Sequence, residues 1–301
     1  MTQAEGRILK GIGGFYYVEV AGAVHECKAR GIFRKTGVKP LAGDLVTVTL
    51  QTQAENTIDA ILPRRNVLAR PPVANIDRLF IVASTCEPDP VPLVIDRLTA
   101  IAVQRGIAPA VIFTKWDLKQ ADALLAAYRQ AGIPVFAVSS ETGDGVDAVK
   151  HELAGCTSAF CGNSGVGKST LLNAIDPKLA LKTAAISEKL GRGKHTTRHS
   201  ELYPVAGGYV ADTPGFSSLE TEADEVIRKE ELPDCFPEFE PYLGSCKFTI
   251  CLHVKEKGCA VLAALEAGKI PRSRHESYCV LMEQARQIKE WELKPRKAGG
   301  K

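Results

Sequence analysis

The chain has 301 residues, 45% of them apolar and 24% charged, with 38 basic side chains against 35 acidic ones. That length is more than one hydrophobic core comfortably serves and predicts two or three domains. No run of roughly 18 apolar residues occurs, which argues against a membrane-spanning helix, and a net charge of +3 implies no nucleic-acid partner by itself.

The opening stretch, MTQAEGRILKGIGG, lacks the apolar centre of an export signal and carries Glu5 within it. Short β-branched runs follow at 15–20 (FYYVEV), near 23–29 (AVHECKA), at 45–50 (LVTVTL) and at 56–62 (NTIDAIL), with Gly13-Gly14, Gly37 and Gly43-Asp44 as turns. This spacing predicts an N-terminal β-barrel over residues 1–70, with the OB type as the best match; the pattern alone leaves an SH3-like barrel open. A stiff Arg70-Pro71-Pro72 connector leads into alternating strands and helices. Strands are predicted at 78–84, 109–113, 134–139, 157–161, around 200–205 and at 208–212, with helices around 93–105, 120–131 and 144–154 and from Lys168 onward. Such alternation predicts an α/β domain over 71–222 with a largely parallel sheet covered on both faces. Past residue 222 the strand patterns stop, and residues 223–301 read as a mostly α domain with helices near 258–267 and 274–292, little obvious core, and a basic tail.

Nine cysteines in a chain without an export signal read as reduced thiols or metal ligands, which places the protein in the cytoplasm. Six are scattered (Cys27, Cys86, Cys156, Cys161, Cys235, Cys279) and read as small buried hydrophobes. Cys246, Cys251 and Cys259 instead crowd around His253. Three thiolates and one imidazole suit tetrahedral Zn²⁺, and a closed Cys₃His shell is structural rather than catalytic. With so little core predicted around it, metal is expected to supply folding energy. Clustered buried thiols are the plainer alternative, one that leaves the histidine unexplained.

Gly162-Asn163-Ser164-Gly165-Val166-Gly167-Lys168-Ser169, followed by Thr170, satisfies G-x-x-x-x-G-K-[ST] between a predicted strand and helix. There backbone N–H groups converge on phosphate oxygens, Lys168 reaches the β- and γ-phosphates, and the Ser169 hydroxyl meets Mg²⁺. Thr114-Lys115-Trp116-Asp117 fits [NT]-K-x-D at a strand end. A single carboxylate, Asp117, can accept both N1–H and the 2-amino group of guanine and meets adenine with repulsion. The Lys115 stem can lie along the base with its ammonium in water. Ser139-Ser140-Glu141-Thr142-Gly143 fits S-[SA]-x-T-G, where a backbone N–H near Ser140 can reach guanine O6. Asp212-Thr213-Pro214-Gly215 fits D-x-x-G, with Asp212 for Mg²⁺ and the Gly215 N–H for the γ-phosphate. Upstream, the stretch from Gly191 to Arg198 offers Thr197, or else Thr196, as the switch threonine on Mg²⁺. TKWD alone matches many surface turns, and the serine motif alone matches many helix caps. The combination is far more specific.

An ordinary GTPase reads phosphate loop, switches, then base motifs. Here the base motifs come first and the cyclic order is kept, so one sheet can still gather every loop at its carboxyl edge. This permutation, the barrel segment KARGIFRKTGVKPLAGD and the Cys₃His cluster together resemble the circularly permuted ribosome small-subunit-dependent GTPase family (RsgA, also called YjeQ) over nearly the whole chain. The resemblance implies a late assembly factor of the small ribosomal subunit that contacts rRNA, is stimulated by the subunit and leaves it on hydrolysis. The other readings are a GTP-dependent translational switch and an RNA-binding module with a structural nucleotide site. Phe216 stands where many GTPases place a water-orienting glutamine. The resemblance points to His195 instead, with Arg192, Arg198 or a partner's group as alternatives. No acidic residue lies between Cys27 and Gly43, so Lys28, Arg30, Arg34, Lys35 and Lys39 are the expected RNA contacts, with Arg64, Arg65 and Arg70 following. The chain is expected to act as a monomer without a membrane.

Overall fold

A computed structural model describes residues 1–33, 37–52, 54–68, 72–179, 200–212 and 227–288. The first five strands are β1 (Thr2–Ile12), β2 (Phe15–Val20), β3 (Ala23–Ala29), β4 (Leu45–Leu50) and β5 (Asn56–Ile61). They close in the order β1-β2-β3-β5-β4-β1, with β3 and β5 parallel and the other neighbours antiparallel. That is the OB arrangement rather than the SH3-like one. The barrel core is Ile8, Val18, Cys27, Val46, Val48 and Ile58.

β1 had no counterpart among the predicted strands. Its sequence, TQAEGRILKGI, has no β-branched alternation, yet it serves two neighbours: residues 2–7 pair with β4 and residues 7–12 with β2, with a register shift between Ile8 and Lys10. Gly6 lies just before this shift, where a Cβ would lie 2.6 Å from both the Glu19 carbonyl and Val18 Cγ1. A short pair, β6 (Val67–Leu68) and β7 (Val73–Ala74), follows the barrel.

The central layer holds β8 (Arg78–Ser84), α1 (Pro92–Gln104), β9 (Ala108–Thr114), α2 (Asp122–Gln130), β10 (Val135–Ala137), α3 (Val146–Leu153), β11 (Thr157–Cys161), α4 (Lys168–Ile175), β12 (Glu201–Val205) and β13 (Gly208–Asp212). The strand order is β10-β9-β8-β11-β13-β12, parallel except for the β12–β13 hairpin. Alternate residues of β8 feed two cores. Leu79 and Ile81 pack with Ile95, Leu98, Phe113 and Tyr128 on one face, and Phe80 and Val82 pack with Ile112, Val149, Phe160 and Leu171 on the other. A sheet covered on both sides accounts for the unbroken apolar strands. β12 also pairs with β1 through Lys10 and Glu201, whose side chains lie 2.7 Å apart, so barrel and central sheet are continuous.

In the C-terminal region, two short 3₁₀ turns, Pro233–Cys235 and Pro237–Tyr242, precede α5 (Ala260–Glu266) and α6 (Arg272–Gln287). The expectation of little core there is corrected. Leu232, Phe236, Phe239, Val261, Ile270, Tyr278 and Met282 form an apolar cluster that also takes in Ala100 of α1. Phe239 and Tyr278 meet edge to face at 4.8 Å. Periodicity could not show this core, because Leu232, Phe236 and Phe239 come from a stretch of irregular chain and 3₁₀ turns that carries Pro233, Pro237 and Pro241.

Arg274 of α6, 1% exposed, ties this region to the central domain. It donates to Asp96 of α1 at 2.7 Å, to Thr99 at 3.1 Å and to both Glu238 oxygens at 2.7 and 3.1 Å. Its guanidinium lies 4.7 Å from the Phe236 ring centroid, and Tyr128 also donates to Asp96, at 2.8 Å. The expectation that the six scattered cysteines are buried holds for Cys27, Cys161 and Cys235; Cys86, Cys156 and Cys279 are only half-buried.

Candidate functional site

The strand order brings three motif-bearing loops to the carboxyl edge of one sheet. The loop after β11 begins at Gly162, whose φ of 142° suits glycine and where a Cβ would lie 2.0 Å from the Val82 carbonyl. No side chain fits there, so the loop packs directly on the end of β8. Gly165 and Gly167 also take positive φ, and Gly167 forms the left-handed start of α4. Lys168 turns back over this loop and donates to the Gly162 and Asn163 carbonyls at 2.6 and 2.8 Å. Burial pulls its ammonium below the ordinary lysine value. Such a lysine is held ready for an anion, because a phosphate returns the solvation that the loop withholds. Ser169 and Thr170 lie in the first turn of α4.

Thr114 ends β9 and is buried; its hydroxyl donates to the Val166 carbonyl at 2.6 Å. The [NT]-K-x-D loop and the phosphate loop are therefore stitched by one hydrogen bond. Lys115 takes a left-handed φ of 57°. Its ammonium, expected in water, instead donates to the Cys86 and Glu87 carbonyls of the loop after β8. Thr85 donates to the Thr114 and Lys115 carbonyls at 3.1 and 2.9 Å, and Lys119 lies 3.0 Å from Asp89. Asp117 projects into solvent beside this clamp. The Trp116 N–H reaches the Val138 carbonyl at 3.2 Å, joining this loop to the serine motif. Ser139 is buried and accepts from the Thr142 N–H at 3.2 Å, while Ser140 is half-buried at the rim.

The loop 84–91 was not singled out from the sequence, although it follows a strand as every motif loop does. Its Ser84 hydroxyl bonds the Pro88 carbonyl at 2.6 Å, and together with Gly162, Asn163 and Val166 it lines a cleft beside the phosphate loop. Asp212 stands at the carboxyl end of β13, next to β11, with Ala159 and Ala211 in register. Gly215 and Phe216, together with Arg192, His195, Thr196, Thr197 and Arg198, lie outside the described residues.

The ligand atoms of Cys246, Cys251, His253 and Cys259 all lie within 4.8 Å of one another. Tetrahedral Zn²⁺ with thiolates at about 2.3 Å puts two sulfurs about 3.8 Å apart; the Cys246 and Cys259 sulfurs are 3.8 Å apart, and His253 Nδ1 is 3.6 and 3.3 Å from them. The donor set and its spacing fit a tetrahedral cation. Burial raises the Cys251 thiol to about 12 and lowers the His253 imidazole. The N–H groups of Ala260 and Leu262 point at the Cys246 and Cys259 sulfurs from 3.3 and 3.5 Å. His275 Nε2 lies 2.8 Å from the His253 carbonyl and holds that residue in its left-handed turn (φ 57°).

The basic barrel segment is less free than its sequence suggests. Lys28 pairs with Glu55 at 2.5 Å and Arg30 with Asp59 at 2.9 Å, acids that arrive with β5 and its turn. Arg64 is bound to buried Asp44, and Arg65 to Asp77, both at 2.7 Å. Lys39 is exposed; Arg34, Lys35 and Arg70 lie outside the described residues.

A family model described as RsgA GTPase matches residues 61–222, and one described as RsgA N-terminal domain matches residues 5–58. A Geobacillus protein named small ribosomal subunit biogenesis GTPase RsgA is 45% identical over 292 residues, spanning 95% of this chain and 99% of that relative. A protein of the same name from Caldanaerobacter subterraneus subsp. tengcongensis is 44% identical over 296 residues, 97% of this chain and 98% of that one. The crystal structure of YjeQ from Thermotoga maritima matches with a TM-score of 0.81 at 32% identity, covering 96% of this chain and 100% of the other. That of YloQ, a circularly permuted GTPase, matches with a TM-score of 0.81 at 36% identity over 96% of each chain.

Proposed function

The chain belongs to the RsgA family of GTPases and is a GTP hydrolase, and from that premise we propose that it is a late assembly factor of the small ribosomal subunit. In this reading it binds the maturing subunit with GTP, the subunit accelerates hydrolysis, and GDP formation releases it. The observation that carries the nucleotide part is the Thr114–Val166 hydrogen bond, which joins the base loop to the phosphate loop despite their permuted order. The subunit part is supported by the names of the relatives, which span nearly the whole chain.

Asp117 accepts the two guanine donors, the Ser140 N–H meets O6, and Lys115 lies along the base. Its ammonium is fixed by the Cys86 and Glu87 carbonyls, so the stem is already in place before nucleotide arrives. The phosphate-loop N–H groups and Lys168 hold the β- and γ-phosphates. Ser169, Asp212 and Thr197 (or Thr196) would hold Mg²⁺, which spreads the charge that develops on the phosphoryl oxygens. Water attacks the γ-phosphorus, the bond to the β–γ bridging oxygen breaks, and GDP leaves with inorganic phosphate. Since Phe216 cannot orient that water, the task falls to His195.

Cys246, Cys251, His253 and Cys259 would hold one Zn²⁺, a closed shell that fixes the 246–259 loop. Lys39, Arg34 and Lys35 provide RNA contacts on the barrel, while Lys28 and Arg30 contribute after exchanging Glu55 and Asp59 for phosphates. The factor acts as a cytoplasmic monomer, its domains spanning 1–70, 71–222 and 223–301. Co-sedimentation tests the subunit part. The expected result is retention on small subunits with a non-hydrolysable GTP analogue and loss with GDP; equal retention in both states would reject the release step.

A further inference from the structure

The metal loop carries a feature that neither nucleotide binding nor metal binding uses. Between Cys246 and Cys251 the chain runs Lys247-Phe248-Thr249-Ile250, all exposed, with Phe248 at 51% and Ile250 at 88%. Large apolar side chains this bare are costly to leave in water and mark contact sites when grouped. The tip is tied down at both ends. Two of the four clustered donors bracket it, and the Lys247 N–H bonds the Gly258 carbonyl at 2.9 Å, so the loop is closed at its base. Gly258 is a glycine here because a Cβ would fall 2.9 Å from Lys247 Cβ.

Its charge is one-sided. From Ser245 to Gly258 there are three lysines, Lys247, Lys255 and Lys257, all exposed, against the single acid Glu256. The Glu256 carboxylate is turned inward, where its Oε2 accepts the Val254 and Lys255 N–H groups at 2.9 and 3.0 Å. The Lys247 ammonium lies 5.7 Å from the Phe248 ring centroid. An aromatic face with an ammonium beside it, two more exposed lysines in the same short segment and an aliphatic side chain two residues on is the chemistry of a stacking platform for unpaired bases. Protein–protein interfaces are depleted of lysine, whereas this short segment carries three.

We propose that the 247–250 tip binds RNA by stacking one unpaired base on Phe248, with Ile250 packed against its neighbour and the three lysines on the flanking phosphates. This extends the small-subunit reading and assigns a partner class to a surface outside the barrel. The test uses the full-length protein and the variants Phe248→Ala and Ile250→Ser, which remove exposed side chains and leave the four metal-binding donors in place. Each is titrated against a labelled single-stranded 12-mer RNA and against purified small subunits. A third form, with Ile250 replaced by a photo-reactive p-benzoylphenylalanine, is cross-linked on the subunit.

The expected result is a loss of roughly tenfold to a hundredfold in RNA and subunit affinity for Phe248→Ala, with metal content and GTP affinity unchanged, and a cross-link that ribonuclease digests. Wild-type RNA affinities in both variants, or cross-links to ribosomal protein alone, overturn the proposal. Should the wild type bind the 12-mer through Phe248 and ignore the subunit, the assembly-factor reading falls while the RNA tip stands.

Discussion

Arg274 is the side chain whose removal the structure makes most costly. Its side chain is 1% exposed and pairs with two buried carboxylates, Asp96 and Glu238, contributed by different parts of the chain. In Arg274→Met the stem still packs near Phe236, but both carboxylates lose their cation while themselves buried. Breaking a buried pair from one side costs about 3–5 kcal/mol, or about two to three and a half orders of magnitude in an opening equilibrium. Asp96 Oδ2 is already without a hydrogen-bond partner and cannot absorb the change. Native-state hydrogen exchange in α6 is the assay, since it reads local opening rather than whole-chain melting. Protection in α6 is expected to fall by that amount. Adding Asp96→Asn and Glu238→Gln to the same variant should restore much of it, because no uncompensated charge then remains. A fall of less than tenfold in the single variant would refute the reasoning, as would no recovery in the triple one.

Asp117→Asn exchanges an acceptor pair for a donor and an acceptor, so guanine affinity should drop by roughly a hundredfold or more while xanthosine nucleotides gain; competition binding with GTP and XTP reads both. Thr114→Val removes the hydroxyl that bonds the Val166 carbonyl and leaves that buried acceptor bare, at a cost of about 1–3 kcal/mol; GTP affinity should fall by about tenfold or more with the far-UV circular dichroism unchanged. Cys259→Ser, or prolonged chelation, should release one equivalent of zinc by elemental analysis and loosen α5 and α6, because Cys259 also caps α5 through the Leu262 N–H. Retained zinc after Cys259→Ser would remove that residue from the shell.

The pattern of residues carried the layers of the fold well. The unbroken apolar runs of β8, β9 and β11 signalled a sheet buried on both faces, and the glycines at 162, 165 and 167 signalled a loop with unusual backbone angles. Strand β1 was not legible, because its stability comes from pairing with β4 and β2 at once and not from its own side chains. The C-terminal core was equally hidden, since Phe239 sits in a 3₁₀ turn and Phe236 in the link between two such turns, a stretch with no helical period. Long-range charge pairing was the other blind spot. Counting Lys28, Arg30 and Arg64 as free bases overlooked Glu55, Asp59 and Asp44, which lie 27, 29 and 20 residues along the chain. The Lys115 clamp escaped notice for the same reason: its acceptors are carbonyls in the loop after a neighbouring strand, and carbonyls leave no mark in a sequence.

Steady-state GTP turnover, measured alone and with purified small subunits, whole ribosomes or free RNA, tests the central claim most directly. The account predicts slow turnover by the isolated protein, since Phe216 replaces a water-orienting side chain, and a large stimulation by small subunits alone. Turnover that small subunits leave unchanged, or that whole ribosomes and free RNA raise equally, would contradict it.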